Sequence, residues 1–130
     1  MEYAIAARID QPFEEAVPRV RAALADQGFG VLTEIDVQAT LRAKLDVGTE
    51  PYLILGACNP PLAHRALEAD RRIGLLLPCN VVVRADPESS SATVVEALDP
   101  QAMVAVSGRA ELKPVADEAE RRLRAALSAL

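Results

Sequence analysis

The sequence predicts a single compact two-layer α/β domain, of the α+β kind, that spans residues 1–130. Its predicted centre is a mixed five-stranded sheet with helices mainly on one face. Strand-like and helix-like apolar patterns alternate along the first part of the chain. Two valine-rich runs with a polar turn between them follow, as in a β-hairpin. Strands that first alternate with helices and then form a hairpin indicate a mixed sheet.

The chain begins with a strand–helix–strand pattern. Residues 3–9 place an apolar side chain at every second position, which is the period of a strand. Asp10 offers a helix cap and Pro12 suits the first turn of a helix. Apolar positions then recur at helical spacing until Gly28, which closes the helix. A second strand is predicted over residues 29–35.

Two capped helices surround a buried strand in the middle of the chain. Asp36 can cap a short helix that ends by Gly48. Residues 51–58 are apolar at nearly every position, which is typical of a strand buried on both faces. Asn59 can then cap a third helix, and Pro60 can occupy its first turn.

The second half contains the hairpin and two more helices. A short apolar run at residues 73–77 precedes the hairpin strands, 79–85 and 92–98, which flank a polar turn. A short helix follows and ends near residue 107. The last helix begins at about Pro114, and its polar face offers three ion pairs at i,i+4 spacing: Asp117–Arg121, Glu118–Arg122 and Glu120–Arg124.

Composition excludes several function classes. Hydrophobic residues make up 51% of the chain and charged residues 25%, as in a globular protein. No apolar run approaches the ~20 residues that a membrane-spanning helix needs. A net charge of −5, with two Tyr, two Phe and no Trp, is unsuited to nucleic acid. We expect no membrane and no nucleic-acid partner. The N-terminus lacks the basic and apolar regions of a signal peptide, so a cytoplasmic protein with reduced thiols is expected.

Two Cys-Asn dipeptides hold the only two cysteines of the chain. A strand that ends at Cys58 and an oppositely directed neighbour that starts at Cys79 would bring both thiols to the same end of a sheet. We therefore expect a small pocket lined by Cys58, Asn59, Cys79 and Asn80, with the thiols close together but not joined as a disulfide. Cys58 precedes a helix N-terminus, which would stabilise a thiolate or a bound anion. Alternatively, both cysteines serve as small hydrophobic residues.

Two further groupings are candidates for chemistry. Glu34 and Asp36 form a possible carboxylate pair for general acid–base chemistry, although Asp36 has the capping role and Glu34 suits the solvent side of a strand. Cys58, His64 and Cys79 match no zinc spacing, and helical phase places His64 on an exposed face. We therefore expect no metal and no cofactor, and we keep Glu34 as a ligand-binding candidate.

Three segments, at residues 32–37, 55–60 and 76–81, together resemble the domain-of-unknown-function family 302. The similarity to its small bacterial and archaeal members extends over essentially the whole chain. The resemblance implies a compact two-layer α/β fold that is often dimeric, and it implies no particular substrate.

Two functional hypotheses follow. The first is a homodimeric module for assembly or for binding a small ligand near the Cys-Asn dipeptides, with Val82, Val94 and Leu98 as an exposed apolar patch for self-association. The second is a thiol-dependent enzyme, or a redox or metal-binding protein, that uses Cys58 or Cys79. Catalysis would require an accessible thiol with a lowered pKa, whereas a binding module tolerates unreactive sulfur.

Overall fold

Five strands form one sheet in the computed structural model, which describes all 130 residues. The strands are β1 (Ala4–Ile9), β2 (Gly30–Asp36), β3 (Tyr52–Cys58), β4 (Cys79–Asp86) and β5 (Ser89–Leu98). The helices are α1 (Phe13–Asp26), α2 (Val37–Leu45), α3 (Pro60–Ala69), α4 (Gln101–Ser107) and α5 (Lys113–Ser128). Short 3₁₀ helices occupy Arg71–Leu76 and Ala110–Leu112. None of the helices has both the length and the apolarity needed to span a bilayer.

The sheet has the strand order β1-β5-β4-β3-β2, and every neighbouring pair is antiparallel. The α+β class and the five strands are confirmed, but the expectation of a mixed sheet is wrong. That expectation rested on the alternation of strands with helices in the first part of the chain, followed by a hairpin. Instead, α1 carries the chain from β1 at one edge to β2 at the other, and the strands then follow one another back across the sheet. A helix between successive strands can therefore join antiparallel neighbours.

The main core lies between one face of the sheet and two helices, α1 and α5. Alternate strand residues supply the sheet side because neighbouring side chains point to opposite faces. Its fully buried large side chains are Val20, Leu24, Leu55, Val81, Val83, Val95 and Leu123. Burial of each such side chain contributes about 1.5–3 kcal/mol.

A second, smaller core joins α3 and α4 to the first half of α5. Its buried residues are Leu62, Ala66, Ile73, Met103, Leu112, Val115, Ala116 and Ala119. The second half of α5 belongs to the main core, through Leu123, Ala126 and Leu127. One amphipathic helix therefore links two separate apolar clusters.

Element boundaries follow the local sequence within a few residues, with differences at the hairpin turn and at the ends of two helices. The turn of the hairpin is only Pro87–Glu88, because Ser89 already pairs with Asp86. Helix α2 ends at Leu45, before Gly48, since Asp46 adopts a left-handed conformation with φ 52°. Pro12 stands at the cap position of α1 and Asp10 does not cap it.

The polar face of α5 is paired as expected at two of three positions. The two pairs that form each have 2.8 Å between nitrogen and oxygen: Glu118–Arg122 and Glu120–Arg124. The third expected pair is absent because each of its members has another partner. Asp117 binds Lys113 at 2.6 Å, and Arg121 binds Glu118 at 2.6 Å.

Candidate ligand-binding cavity

An apolar cavity of about 360 Å³ lies where the two cores meet. Phe29 and Ala57 of the main core line it on one side, and Leu62, Met103 and Ala119 of the second core line it on the other. Hydrophobic residues make up 13 of its 16 lining residues, and none of the 16 is charged. A molecule held there would therefore be recognised mainly by shape and apolar contact.

Asn59 occupies the junction between β3 and α3. Its Oδ1 accepts a hydrogen bond from Leu62 N at 3.3 Å, which confirms its capping role. Pro60 begins the helix, where its missing N–H costs nothing. Only 7% of Asn59 is exposed. It is the one amide among the lining side chains, so it can orient a polar end of a ligand.

A glycine lets three segments come together beside the cavity. A Cβ on Gly56 would overlap Thr33 Oγ1 and would lie 2.9 Å from Pro78 Cγ. Both of these neighbours line the cavity. A side chain at position 56 would push these two neighbours apart. Glycine is therefore required where β2 and the residue before β4 approach β3.

A β-bulge shapes the rim of the cavity. The register between β2 and β3 shifts between Val31 and Thr33, which leaves Leu32 without a partner. Leu32 lines the cavity and is also 68% exposed. It therefore stands at the boundary between the cavity and solvent.

The structure brings Cys58 and Cys79 to the same end of neighbouring antiparallel strands. Cys79 pairs with Ala57, the residue before Cys58. Both thiols are free, partly buried and part of the cavity wall. Burial raises the pKa of the Cys79 thiol to about 11, and the neighbouring Cys58 adds to that shift. Cys79 is therefore a protonated thiol at neutral pH.

Two of the candidate residues lie away from the cavity. Strand alternation turns Asn80 to the opposite face from Cys79, where it lines a shallow groove with Tyr52 and Val82. Glu34 is exposed and forms an ion pair with Arg21 of α1. Neither residue shares a wall with the thiols.

The other sequence candidates have structural partners. Asp36 caps α2 by accepting a hydrogen bond from Ala39 N at 2.9 Å. His64 is exposed, and its Nε2 lies 3.3 Å from Glu68 Oε1. No group of three or more His, Cys, Asp or Glu side chains is arranged to hold a metal ion.

The sequence did not identify the far wall of the cavity. Val115 and Ala119 recur at helical spacing along the last helix, as core residues do, and this spacing does not distinguish a core position from a cavity wall. Met103 came from a short helix that carried no functional signal. These residues are recognised as the far wall of the cavity only from the structure, where the two cores are separated by that cavity.

A family model described as "Domain of unknown function DUF302" matches residues 5–130. The chain belongs to the DUF302 family. Among solved structures, this DUF302 chain is similar to the crystal structure of an uncharacterized conserved DUF302 protein from Bacillus stearothermophilus. The TM-score is 0.89 at 29% sequence identity, and the match covers 98% of each chain. Among curated proteins, none matches the chain.

Proposed function

We propose that this DUF302 chain is a homodimeric module that binds a small apolar ligand in the cavity between its two cores. The observation that carries the proposal is the cavity itself, whose volume of about 360 Å³ falls within the range of small-molecule sites. Each ~100 Å² of apolar ligand surface transferred from water into such a site contributes about 2.5 kcal/mol before the costs of binding.

The lining favours binding over chemistry. The 16 residues include no His, Asp, Glu, Lys or Arg, so the cavity offers no imidazole, carboxylate or amine as a general base. The raised pKa of Cys79 disfavours its thiolate. A thiol-dependent reaction would therefore have to use Cys58, which has no neighbouring base in the cavity wall. This makes the enzymatic alternative weaker.

The proposal of a homodimer is supported by the face of the sheet that lies away from α1 and α5. Val82 lies opposite Ile54 and Glu96 in the strand register, on the face away from α1 and α5. Val94 and Leu98 share that face and are only partly buried. A two-fold axis through this patch would bury the apolar residues of both copies against each other.

We place the module in the cytoplasm, since free thiols suit a reducing compartment.

A substitution that fills the cavity tests the ligand-binding proposal. Ala63 lines the cavity on α3, and Ala63→Leu adds apolar volume with a residue that favours helices. The matched control is Ala22→Leu on the exposed side of α1. We expect octanol to raise the melting temperature of the wild type and of Ala22→Leu, but not of Ala63→Leu. Octanol that stabilises all three proteins equally, or none of them, would contradict the proposal.

A further inference from the structure

A polar pocket lies next to the apolar cavity, on the other side of Asn59 and Leu62. These two residues line both spaces. Arg65, Arg122 and Glu118 are the charged residues of the polar pocket. Two arginines and one glutamate give its lining a net charge of +1, in a chain whose net charge is −5.

The amide of Asn59 has an unused donor. Its Oδ1 caps α3, but its Nδ2 donates no hydrogen bond to any group of the chain, although the residue is only 7% exposed. A Cβ built on Gly28 would lie 3.0 Å from this Nδ2 and 3.2 Å from Arg122 Nη1. Gly28 has φ +83° and carries no side chain, so two nitrogen donors flank the same space. Every fully buried side-chain nitrogen and oxygen of the chain has a partner, so this unbonded Nδ2 reaches the pocket surface and is open to a ligand.

The arginines differ in how far the protein uses them. Arg122 Nε donates to Glu118 Oε1 at 2.8 Å, and its Nη1 donates to Gln27 O at 3.1 Å, which holds the guanidinium in place. Its Nη2 makes no hydrogen bond within the chain. Arg65 is exposed and has neither an ion pair nor a side-chain hydrogen bond. One fixed and one free guanidinium therefore face the pocket.

Glu118 is the one negative group of the pocket, and its charge is already compensated. Ion pairs with Arg121 and Arg122 lower the pKa of its carboxyl to about 2. It therefore remains a carboxylate at neutral pH and accepts hydrogen bonds from those two arginines. The unused donors of Asn59, Arg122 and Arg65 remain for a ligand.

We propose that the polar pocket is an oxyanion subsite, and that the ligand is amphipathic, with an apolar body in the cavity and one terminal carboxylate or phosphate held by Asn59, Arg122 and Arg65. This inference rests on the proposed binding function and specifies its ligand class. Charge-assisted hydrogen bonds from guanidinium and amide groups suit either oxyanion. Leu62 and Asn59, shared by both spaces, would contact the ligand where its apolar part meets its charged end.

Three probes of equal chain length separate this inference from the proposed function. Octanol tests the cavity alone, whereas octanoate and octyl phosphate test the subsite with the two kinds of oxyanion. We expect at least one anionic probe to bind about tenfold more tightly than octanol by titration calorimetry. The tighter of the two anions identifies the end group.

Two variants test which residues hold the anion. Arg65→Gln removes a charge that has no partner in the protein, so folding should be unaffected. It should abolish most of the anion advantage and leave octanol binding unchanged. The matched control is Arg72→Gln, another exposed arginine without an ion pair, outside both spaces. Asn59→Asp should keep the cap, and hence the melting temperature, while it weakens anion binding because a carboxylate cannot donate.

The outcomes are distinct. Equal affinities for octanol and both anions would overturn the oxyanion subsite and leave the cavity proposal intact. An anion advantage that Arg65→Gln preserves, or that Arg72→Gln removes equally, would also overturn it. Failure of all three probes to bind would overturn both the subsite and the proposed function.

Discussion

At the scale of single residues, two dipeptides of identical sequence have different structural positions. Cys58 is the last residue of β3 and Asn59 caps the helix that follows, α3. Both residues line the cavity. Cys79-Asn80 begins a strand, and the two-residue period sends its members to opposite faces. Cys79 reaches the cavity and Asn80 does not. Sequence alone located the two thiols and the cap because these depend on local patterns.

The raised pKa of Cys79 gives a prediction about thiol reactivity. With a pKa of about 11, only about 0.1% of this thiol is ionised at pH 8, so its alkylation by iodoacetamide should be slow in the folded protein. Because folding raises the pKa of Cys79, its protonated thiol stabilises the folded protein at pH values below the pKa of this thiol in the unfolded chain. This contribution to the free energy of unfolding is lost as the pH rises towards 11. Peptide mapping after labelling at several pH values measures the rate.

The Cys58→Ser variant is the useful background for that experiment, since it leaves Cys79 as the only thiol. Labelling in denaturant gives the reference rate for an exposed cysteine. If Cys79 is half ionised between pH 8 and 9 in the folded protein, its pKa is not raised by burial. That result would contradict the prediction and would favour a thiol-based function.

At the scale of elements, the helices differ in how firmly packing holds them. Helix α5 buries six residues across both cores, and α3 buries Leu62 and Ala66. Helix α2 buries none, and Leu45 at its end is 66% exposed. The cap at Asp36 stabilises the first turn of α2, but isolated helices of this length are marginal in water.

We therefore predict that the amides of α2 exchange with deuterium much faster than those of α3, a helix of similar length. Local opening of α2 exposes little apolar surface, so its free-energy cost is low. Asp36→Ala should accelerate exchange in α2 further, because it removes the cap and costs about 1 kcal/mol. Hydrogen exchange followed by NMR gives the rates, and equal protection of α2 and α3 would show that α2 is held by contacts this structure lacks.

Element order and one wall of the cavity could be predicted from the sequence, while the full strand order and the far wall of the cavity could not. Asn59 and Asp36 indicate where α3 and α2 begin, because a capping side chain accepts a hydrogen bond from a backbone N–H only three residues further along the chain. The pairing of β1 with β5 joins residues more than 80 positions apart, and no local pattern encodes it. Met103 reaches the cavity because α4 packs with α3 and α5 in the second core. Long-range packing, which local periodicity does not report, decides these features.

At the scale of the whole molecule, the sheet face that carries Val82, Val94 and Leu98 predicts self-association. Val82→Lys would place a charge in the middle of the proposed interface, where pairing with its own copy would be repulsive. We expect light scattering to give a dimer mass for the wild type and a monomer mass for Val82→Lys. The same change at Val106, which is 69% exposed on α4, should leave the dimer intact. A monomeric wild type, or a dimeric Val82→Lys variant, would contradict the proposed interface.

The central claim is that the cavity between the two cores holds an apolar ligand, and the two methionines test it most directly. Met103 lines the cavity, whereas Met1 is 69% exposed at the N-terminus and serves as an internal control. Methyl-labelled methionine should therefore give two NMR signals, which Met103→Leu assigns with little change in volume. On titration with octanol, we predict a saturable shift of the Met103 methyl signal and nuclear Overhauser contacts from that methyl to the octanol chain, with Met1 unchanged. A Met103 signal that stays in place, or equal shifts of both methyls, would contradict the account.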